Sequence, residues 1–475
     1  MKPRILPALV ATACALATFA PCRPAEAAGF YFGDRGVRPL SRGGAFVAGA
    51  DDLGAGWYNP AGIAYAGTSL LADFSYMNWR SDFTRETLVV DGEGNRRVFR
   101  SPLVNGSAPF LPLPTLGASY AFGREKEFTI AFILNSPYTP VANYPLTQNG
   151  APASSRYSLV TLEGSLLALP GAYFAWKPSE AFAVGAGLVA LTGSFRSQVV
   201  FSASPSDRLL SAPEDPNYDA LSELKVGPIV APTATLGFTI KPTRRVTIGL
   251  SGILPIWVNA PATIRVKLPT ASPFDDARQE GQDATVRFQL PGVARLGVEF
   301  RPFDPLRIEL GYAREFWGIH QSIDIAPKNI QIYGLTGLPS PFAVSPITLP
   351  RGFKDSNSVR LGAELTLPAR KNAVSLRAGV SFEESGIKRE YVSPLTIDLD
   401  KVTAAGGASF HLGDHWRFDV VYAHVFGFDE YVSPDEAKVP RVNPVKGNPT
   451  ATESVNGGRY AAAADVIGVG GVYRF

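Results

Sequence analysis

Residues 245–254 read RVTIGLSGIL, in which the apolar Val246, Ile248 and Leu250 occupy every second position. The residues that alternate with them are threonine, glycine and serine. The same alternation recurs at 306–315 (LRIELGYARE) and at 359–367 (VRLGAELTL). A period of two residues is typical of β-strands that present one apolar face and one polar face. The chain is therefore predicted to be all-β.

Two architectures use such strands: a soluble sandwich with the apolar face inward, and a transmembrane barrel with that face toward lipid. The segments between the predicted strands favour the barrel, because short turns alternate with long polar connections, as in outer-membrane barrels. Six tight turns and seven long connections predict fourteen antiparallel strands, an even number. The tight turns lie at 123–126, 177–179, 241–244, 301–304, 367–370 and 412–414, and the long connections at 81–112, 139–163, 197–224, 259–282, 326–355, 384–398 and 429–462.

The chain ends VIGVGGVYRF, in which Ile467, Val469, Gly471, Tyr473 and Phe475 share one face of a predicted last strand. Tyr473 and the terminal Phe475 resemble the C-terminal signal of outer-membrane barrels. The alternative is a soluble strand that happens to end in phenylalanine. The glycines of this strand leave space in the lumen for a plug or a ligand.

The N-terminus predicts export. A basic start precedes a mostly apolar run at 5–20, and Ala25-Glu26-Ala27 fits the small-x-small cleavage pattern. We expect residues 1–27 to be a signal peptide. A retained transmembrane anchor is the alternative, but the run is short for a span of about 20 residues and contains Pro7.

Cysteine use and charge narrow the function classes. Cys14 and Cys22 are the only cysteines and both fall in the predicted signal, so no disulfide or Cys-ligated metal is expected after cleavage. The net charge of +3 results from 45 basic and 42 acidic residues. The sequence contains no cluster of basic residues of the kind that would predict nucleic-acid binding.

Two further residue sets fit a barrel. Tryptophans near predicted strand ends are expected to form an interfacial girdle (Trp79, Trp176, Trp257, Trp317 and Trp416). Charged residues on the polar face of four consecutive strands are expected to brace the wall from inside (Arg295, Glu299, Arg307, Glu309, Arg360, Glu364 and Arg377). A symmetric turn at 301–305 would place Glu299 opposite Arg307. In a sharper alternative, one of these arginines binds a ligand carboxylate.

No constellation for catalysis emerges. The four histidines, His320, His411, His415 and His424, show no metal-ligand spacing and none sits beside a glycine-flanked serine. The stretch DGEGN at 91–95 lacks the later ligands of a calcium loop. We therefore expect no catalytic residue, no metal, no cofactor and no enzyme activity. A surface lipase assembled from separated strands is the remaining alternative.

Residues 51–62, DDLGAGWYNPAG, are too broken for a helix and too glycine-rich for a strand. They belong to a stretch of small residues at 28–67 that precedes the first predicted strand. Fourteen strands enclose more room than side chains alone can fill. We expect residues 28–67 to fold back as a plug and residues 68–475 to form the barrel.

The run AGFYFGDRGVRPLSRGGAFVAGADDLGAGWYNPAGIA, at 28–64, resembles the N-terminus of the FadL family. These are outer-membrane transporters of long-chain fatty acids and aromatic hydrocarbons. The strand count and Phe475 agree with the resemblance. It implies a hatch that includes Gly29, Phe30 and Asn59-Pro60-Ala61, with Phe30 inserted into an inner substrate pocket.

The resemblance also implies a lateral exit at an inward kink in the third strand, predicted at 128–136. The kink candidates are Asn135, Ser136, Pro137 and Tyr138, because Pro137 cannot donate to the ladder. The alternative is that Pro137 and Pro140 only begin a loop.

The favoured function is uptake of hydrophobic molecules, above all long-chain fatty acids, through a plugged barrel that releases them into the bilayer. An adhesive or structural barrel and a general porin are the alternatives. We expect a multi-pass outer-membrane protein with both termini periplasmic. Its partners would be a hydrophobic ligand and membrane lipid, and it would act as a monomer.

Overall fold

The computed structural model describes residues 33–90, 93–108, 110, 112–138, 142–204, 214–337, 339–444 and 453–475. Fourteen antiparallel strands form its wall. They are β1 (Ser69–Val90), β2 (Pro112–Phe122), β3 (Phe128–Asn135), β4 (Leu166–Ser179), β5 (Phe182–Ser202), β6 (Asp219–Thr243), β7 (Val246–Ile253), β8 (Val293–Phe303), β9 (Leu306–Glu315), β10 (Ser356–Ala369), β11 (Asn372–Glu383), β12 (Lys401–Leu412), β13 (Trp416–Gly427) and β14 (Gly458–Arg474).

The wall closes on itself. Each strand pairs with the next along the chain, and β1 pairs with β14 from Ser69 opposite Arg474 to Arg85 opposite Gly458. Short turns join six neighbouring pairs and long connections join the other seven. The predicted fourteen-stranded barrel is therefore confirmed.

The faces of the strands follow the alternation in the sequence. Leu250 and Leu310 point outward and are about half exposed, whereas Glu309 and Arg360 point inward and are buried. An apolar outer surface with a polar interior suits a wall that faces lipid. Among the described residues, no helix has both the length and the apolar character needed to cross a bilayer.

The end of the barrel with the long connections carries additional structure. Within the described connections, twelve further strands lie there: Arg96–Arg100, Val104–Ser107, Thr147–Gln148, Ala151–Pro152, Ile256–Lys267, Arg278–Glu280, Asp283–Leu290, Ser322–Pro327, Gln331–Tyr333, Phe342–Ala343, Ile347–Pro350 and Glu430–Val432. Five 3₁₀ turns accompany them: Pro216–Tyr218, Ser272–Phe274, Trp317–Ile319, Arg389–Tyr391 and Pro394–Thr396. Several strands also run further than predicted, since β5 and β6 continue into the connection expected at 197–224.

Ahead of β1, residues 33–67 form a compact N-terminal segment inside the wall. It contains α1 (Val37–Ser41), α2 (Ala55–Tyr58) and a 3₁₀ helix at Pro60–Tyr65. Nearly every residue of this segment is buried. Hence the apolar core of the protein lies between the N-terminal segment, the inner wall and the connections above them.

Two expectations from the sequence are wrong. Trp79 and Trp317 are buried and do not belong to an outer girdle, whereas Trp176, Trp257 and Trp416 are exposed. Trp79 occupies an inward position of β1, so closeness to a strand end did not determine its facing.

The register of the β8–β9 hairpin also differs from the symmetric turn. Phe303 pairs with Leu306, so the turn is Asp304-Pro305 and Glu299 lies opposite Glu309. Arg307 reaches Glu299 diagonally, with its Nε 3.0 Å from the carboxylate.

Candidate functional site

The Asn59-Pro60-Ala61 motif ties the N-terminal segment to β6. The Oδ1 of Asn59 accepts a hydrogen bond from the N–H of Ala61 at 3.2 Å and caps the 3₁₀ helix. Its Nδ2 donates to the carbonyl oxygens of Val47, at 2.8 Å, and Phe238, at 3.0 Å. The side chain is fully buried, so one amide organises the segment and fixes it to the wall.

Arginines of the segment bind wall carboxylates. Arg38 binds Glu364 through two parallel hydrogen bonds of 3.0 and 2.9 Å. Arg42 lies 3.0 Å from Glu299 and 3.2 Å from Glu309. Charge-assisted contacts of this kind are stronger than neutral ones, and the bidentate pair also fixes orientation.

Aspartates of the segment bind wall arginines in return. Asp51 lies 2.7 Å from Arg307, and Asp52 lies 2.8 Å from Arg417. The predicted inner charges are thus present, but many of their partners belong to the N-terminal segment. The sequence shows complementary charges in the N-terminal segment and in the wall, but the sequence analysis did not pair them with each other.

Glu309 shows how the wall also binds the backbone of the segment. It accepts hydrogen bonds from the consecutive N–H groups of Val47, Ala48 and Gly49 at 2.6, 2.9 and 2.8 Å. A carboxylate is well stabilised in such a concavity of backbone amides. This contact fixes the turn of the segment that follows α1.

Glycines on the inner wall make the close approach possible. A Cβ at Gly379 would lie 2.1 Å from the carbonyl carbon of Arg42, and one at Gly249 would lie 2.3 Å from the carbonyl oxygen of Val47. Only glycine lets the two backbones come this near.

Above the N-terminal segment, two contiguous cavities of about 70 Å³ each share five lining residues, Ser197, Leu224, Leu349, Arg351 and Leu395. We call them together the apolar chamber. Aromatic side chains line one end of it (Phe195, Phe288, Trp317 and Phe353). Such a concave, mostly apolar site with few polar groups suits a hydrophobic ligand.

Arg351 is the distinctive polar residue of the apolar chamber. Its side chain is only 7% exposed, and its Nε is buried without a hydrogen-bond partner. Among the described residues, no carboxylate forms an ion pair with its guanidinium. Burial lowers the pKa of Arg351 to about 10, so the group is still a cation at neutral pH.

His320 lies beside it with a neutral ring. Its Nδ1 is 2.6 Å from the carbonyl oxygen of Gln289, which can only accept, so Nδ1 carries the hydrogen. Burial, together with the charge of Arg351, lowers the pKa of His320 to about 3. Among the charged groups that the described residues place around the apolar chamber, Glu383 and Asp398 are paired with Lys401, and Arg351 is the cation without an ion-pair partner. Nothing in the sequence around Arg351 distinguished it from other loop arginines.

The wall is interrupted where β3 ends. β3 pairs with β2 only from Leu116 to Phe122 and with β4 only from Leu169 to Trp176. Within the described part of these strands, Pro112–Thr115 and Leu166–Ala168 have no partner from β3. We call this gap the β3 window.

The chain turns inward at the β3 window. Ser136 and Tyr138 are buried, and the carbonyl oxygen of Pro137 accepts a 2.7 Å hydrogen bond from Arg35 of the N-terminal segment. Above the gap the wall resumes through single bridges of Asn143 with Ser107 and Thr161. The four kink candidates thus lie together at the end of β3. Pro140 lies outside the described residues.

The other predicted residues are dispersed. Phe475 is exposed at the end of β14, with its ring 4.8 Å from that of Tyr473, which packs on Trp416. Gly29 and Phe30 lie outside the described residues. Within the described ranges, no three His, Cys, Asp or Glu residues are grouped to hold a metal ion.

A closed wall of fourteen antiparallel strands with an apolar outer surface defines an outer-membrane barrel. The model of the outer membrane protein transport protein family (OMPP1/FadL/TodX) matches residues 19–475, and the chain belongs to this family. It is a multi-pass outer-membrane protein that transports hydrophobic compounds. A search of curated proteins finds no match.

Solved structures share the fold at low sequence identity. A Pseudomonas aeruginosa FadL homologue is 16% identical, with a TM-score of 0.69 over 94% of this chain and 100% of that chain. The Ralstonia pickettii toluene transporter TbuX is 16% identical, with a TM-score of 0.58 over 93% and 98%. The Pseudomonas putida toluene transporter TodX is 13% identical, with a TM-score of 0.59 over 95% and 100%.

Proposed function

We propose that the protein takes up long-chain fatty acids and similar hydrophobic monocarboxylates and releases them sideways into the outer membrane. The observation that carries this proposal is the lone cation of Arg351 in the apolar chamber. A buried charge without a partner is costly, and a carboxylate ligand would supply the missing partner. A plain hydrocarbon would leave the charge uncompensated.

The rest of the cargo gains from the apolar walls. Transfer of apolar surface out of water contributes about 25 cal/mol per Å². An engineered cavity of about 150 Å³ holds benzene, so a full acyl chain needs the lining side chains of the apolar chamber to move apart. The lining belongs largely to the long connections, which are the parts of a barrel best able to move.

In this mechanism residues 28–67 act as the hatch. The Asn59-Pro60-Ala61 motif and the Arg38 contacts with Glu364 hold its body in place, so movement is confined to the residues before α1. We expect Phe30 to insert into the substrate pocket and Gly29 to let the chain turn there.

The β3 window is the proposed exit. Asn135, Ser136, Pro137 and Tyr138 open the wall toward lipid, where an apolar cargo is soluble. Because Arg35 donates to the carbonyl oxygen of Pro137, displacement of the residues before α1 would break or move this contact at the β3 window. An adhesin or an open porin would need neither the Arg351 charge nor the β3 window.

A second candidate cargo is a monoaromatic hydrocarbon. The small volume of the apolar chamber and its aromatic lining favour it, and TbuX and TodX are toluene transporters. For such a cargo, Arg351 would only weaken binding.

Binding of oleate and of oleyl alcohol to wild type and Arg351→Met separates these cargoes, because the two ligands differ only in the carboxylate. Hydrogen bonds to charged groups contribute about 1.5–3 kcal/mol, so oleate should bind roughly ten- to a hundred-fold more weakly to the variant. Oleyl alcohol should bind both proteins equally. Equal affinity of the two proteins for oleate would refute the carboxylate proposal. So would tighter toluene binding to the variant if neither protein binds oleate.

The exit is tested in cells. Pro137→Ala should slow uptake of radiolabelled oleate, with Pro242→Ala at the end of β6, next to a short turn, as the matched control. Normal barrel insertion with unchanged uptake in Pro137→Ala would exclude a role for the kink.

A further inference from the structure

The wall has a second interruption, three strands further along the barrel than β3, between β6 and the chain that follows it. Residues Leu221–Val226 of β6 pair with Ala262–Lys267, and Thr235–Thr243 pair with β7. Between these two ladders, residues 227–233 and 255–261 form no ladder pair with each other, although all of them are described and both edges pair with their other neighbours. We call this gap the β6 slit.

The β6 slit has a geometric cause. Along β6 the inward positions are even-numbered up to Val226 and odd-numbered from Ile229, because a bulge at Gly227-Pro228 reverses the facing. On the opposite edge the inward positions are odd-numbered up to Ser251 and even-numbered from Ile256.

The two reversals lie at different heights. In the register shared by both ladders, Gly227 would lie opposite Pro261 and Thr233 opposite Pro255. Between these levels an inward residue of one strand faces an outward residue of the other, and a regular antiparallel pair cannot form. The stretch spans about six residues, or roughly 20 Å of strand.

Prolines reinforce the interruption. Pro228 and Pro232 lie on one edge of the β6 slit, and Pro255 and Pro261 on the other. None of them has an N–H to donate, and proline inside a sheet is confined to edges and bulges. Four prolines facing one gap keep both edges unpaired.

Inside the barrel, the β6 slit borders the apolar chamber. Val226 ends the upper ladder and lines the apolar chamber. Val258 and Ala260 on the other edge pair with Phe288 and Val286, which also line it. The inward residues along both edges are apolar and buried (Ile229, Ala231, Ile256, Val258 and Ala260).

Outside, a groove on the lipid-facing surface begins at the foot of the β6 slit. It has a volume of about 910 Å³ and is lined by Leu188, Ala234, Leu236 and Leu254, among others. Large apolar side chains stand exposed along the β6 slit, with Val230 at 74% and Trp257 at 63%. Apolar side chains therefore stand on both faces of the β6 slit, between the chamber inside and the groove outside.

We propose that the β6 slit is a second lateral exit, through which the hydrophobic cargo of the apolar chamber passes into the external groove and then into lipid. The occupant is the cargo itself, because the β6 slit adjoins the chamber that holds it. This inference rests on the proposed uptake function.

The test closes the β6 slit in the folded protein. The variant Ala231→Cys/Val258→Cys carries one inward cysteine on each edge, and a membrane-permeant, reducible bis-thiosulfonate reagent joins them after insertion. Ala405→Cys/Ala423→Cys is the matched control, since these residues face each other across the intact β12–β13 ladder. Mass spectrometry verifies both cross-links, and radiolabelled oleate uptake is the readout.

Cross-linking the β6 slit should lower the rate of uptake about two-fold or more, and reduction of the reagent should restore it, while the control pair stays at the wild-type rate. Wild-type uptake in both cross-linked variants would overturn the second exit and leave the transport function standing. If cells with the wild-type protein take up no more oleate than cells without it, the proposed uptake function is wrong, and this inference with it.

Discussion

Arg38 and Glu364 are joined by two parallel hydrogen bonds although 326 positions separate them in the chain. Both side chains are about 5% exposed. Glu364 also accepts a 2.7 Å hydrogen bond from Arg377. One wall carboxylate thus neutralises cations of both the N-terminal segment and the neighbouring strand.

Replacing Glu364 with leucine should destabilise the protein strongly. Removing one partner from a buried ion pair costs about 3–5 kcal/mol, because the remaining charges stay buried. Thermal unfolding in detergent and faster hydrogen exchange at residues 37–42 would measure the effect. Glu436→Leu is the control, because its ion pair with Arg389 is about half exposed and should contribute at most about 1 kcal/mol. Equal losses in both variants would contradict the role assigned to Glu364.

Substitution of Asn59 separates its two functions. Asn59→Ala removes the cap of the 3₁₀ helix, worth about 1 kcal/mol, together with the hydrogen bonds to Val47 and Phe238. Asn59→Ser keeps a neutral oxygen for the cap but is too short to keep the bonds to Val47 and Phe238. Hydrogen exchange at residues 60–66 should rise more in the alanine variant than in the serine variant. Equal exchange in the two would show that the cap contributes nothing.

A methyl group at Gly379 should displace the N-terminal segment. The Cβ would lie 2.1 Å from the carbonyl carbon of Arg42, whereas one at Gly406 meets nothing nearer than 3.7 Å. Overpacking of this kind costs about 1–3 kcal/mol. In planar bilayers, Gly379→Ala should raise ion conductance and Gly406→Ala should not. An unchanged barrier to ions in Gly379→Ala would mean that this contact does not hold the segment in place.

Oleate binding should depend little on pH between about pH 6 and 9. Arg351, with its pKa lowered to about 10, stays cationic over that range, and His320, with its pKa lowered to about 3, stays neutral. Above about pH 10 the affinity should fall as Arg351 loses its proton. Fluorescence titration at several pH values tests this, and a midpoint near the usual histidine pKa of about 6.5 would contradict it.

His320 also links stability to acid. Its pKa is about 6.5 in the unfolded chain and about 3 in the fold, so the unfolded state takes up the proton first. The stability contributed by the neutral ring is complete above about pH 6.5 and is lost as the pH falls toward 3. His320→Phe should remove this part of the acid sensitivity in thermal melts, and an unchanged dependence of the melting temperature on pH would contradict the role of His320.

The sequence by itself determined the barrel. Alternation of side chains and the spacing of turns are local properties, and counting them gave fourteen strands and the order of short and long connections. The glycine-rich start and Asn59-Pro60-Ala61 indicated a segment inside the wall. The inward charges were also recognised, because facing along a single strand follows from its period.

Only the tertiary structure decided which groups meet. Glu299 faces Glu309 because the turn lies at Asp304-Pro305, and Trp79 points inward because of its place in the alternation of β1. The isolation of Arg351 depends on loops brought together from distant parts of the chain. The β6 slit exists because two neighbouring strands exchange their inward and outward positions at different levels along the barrel. These features depend on the register between strands and on burial by segments that are distant in the chain. No single stretch of sequence contains that information.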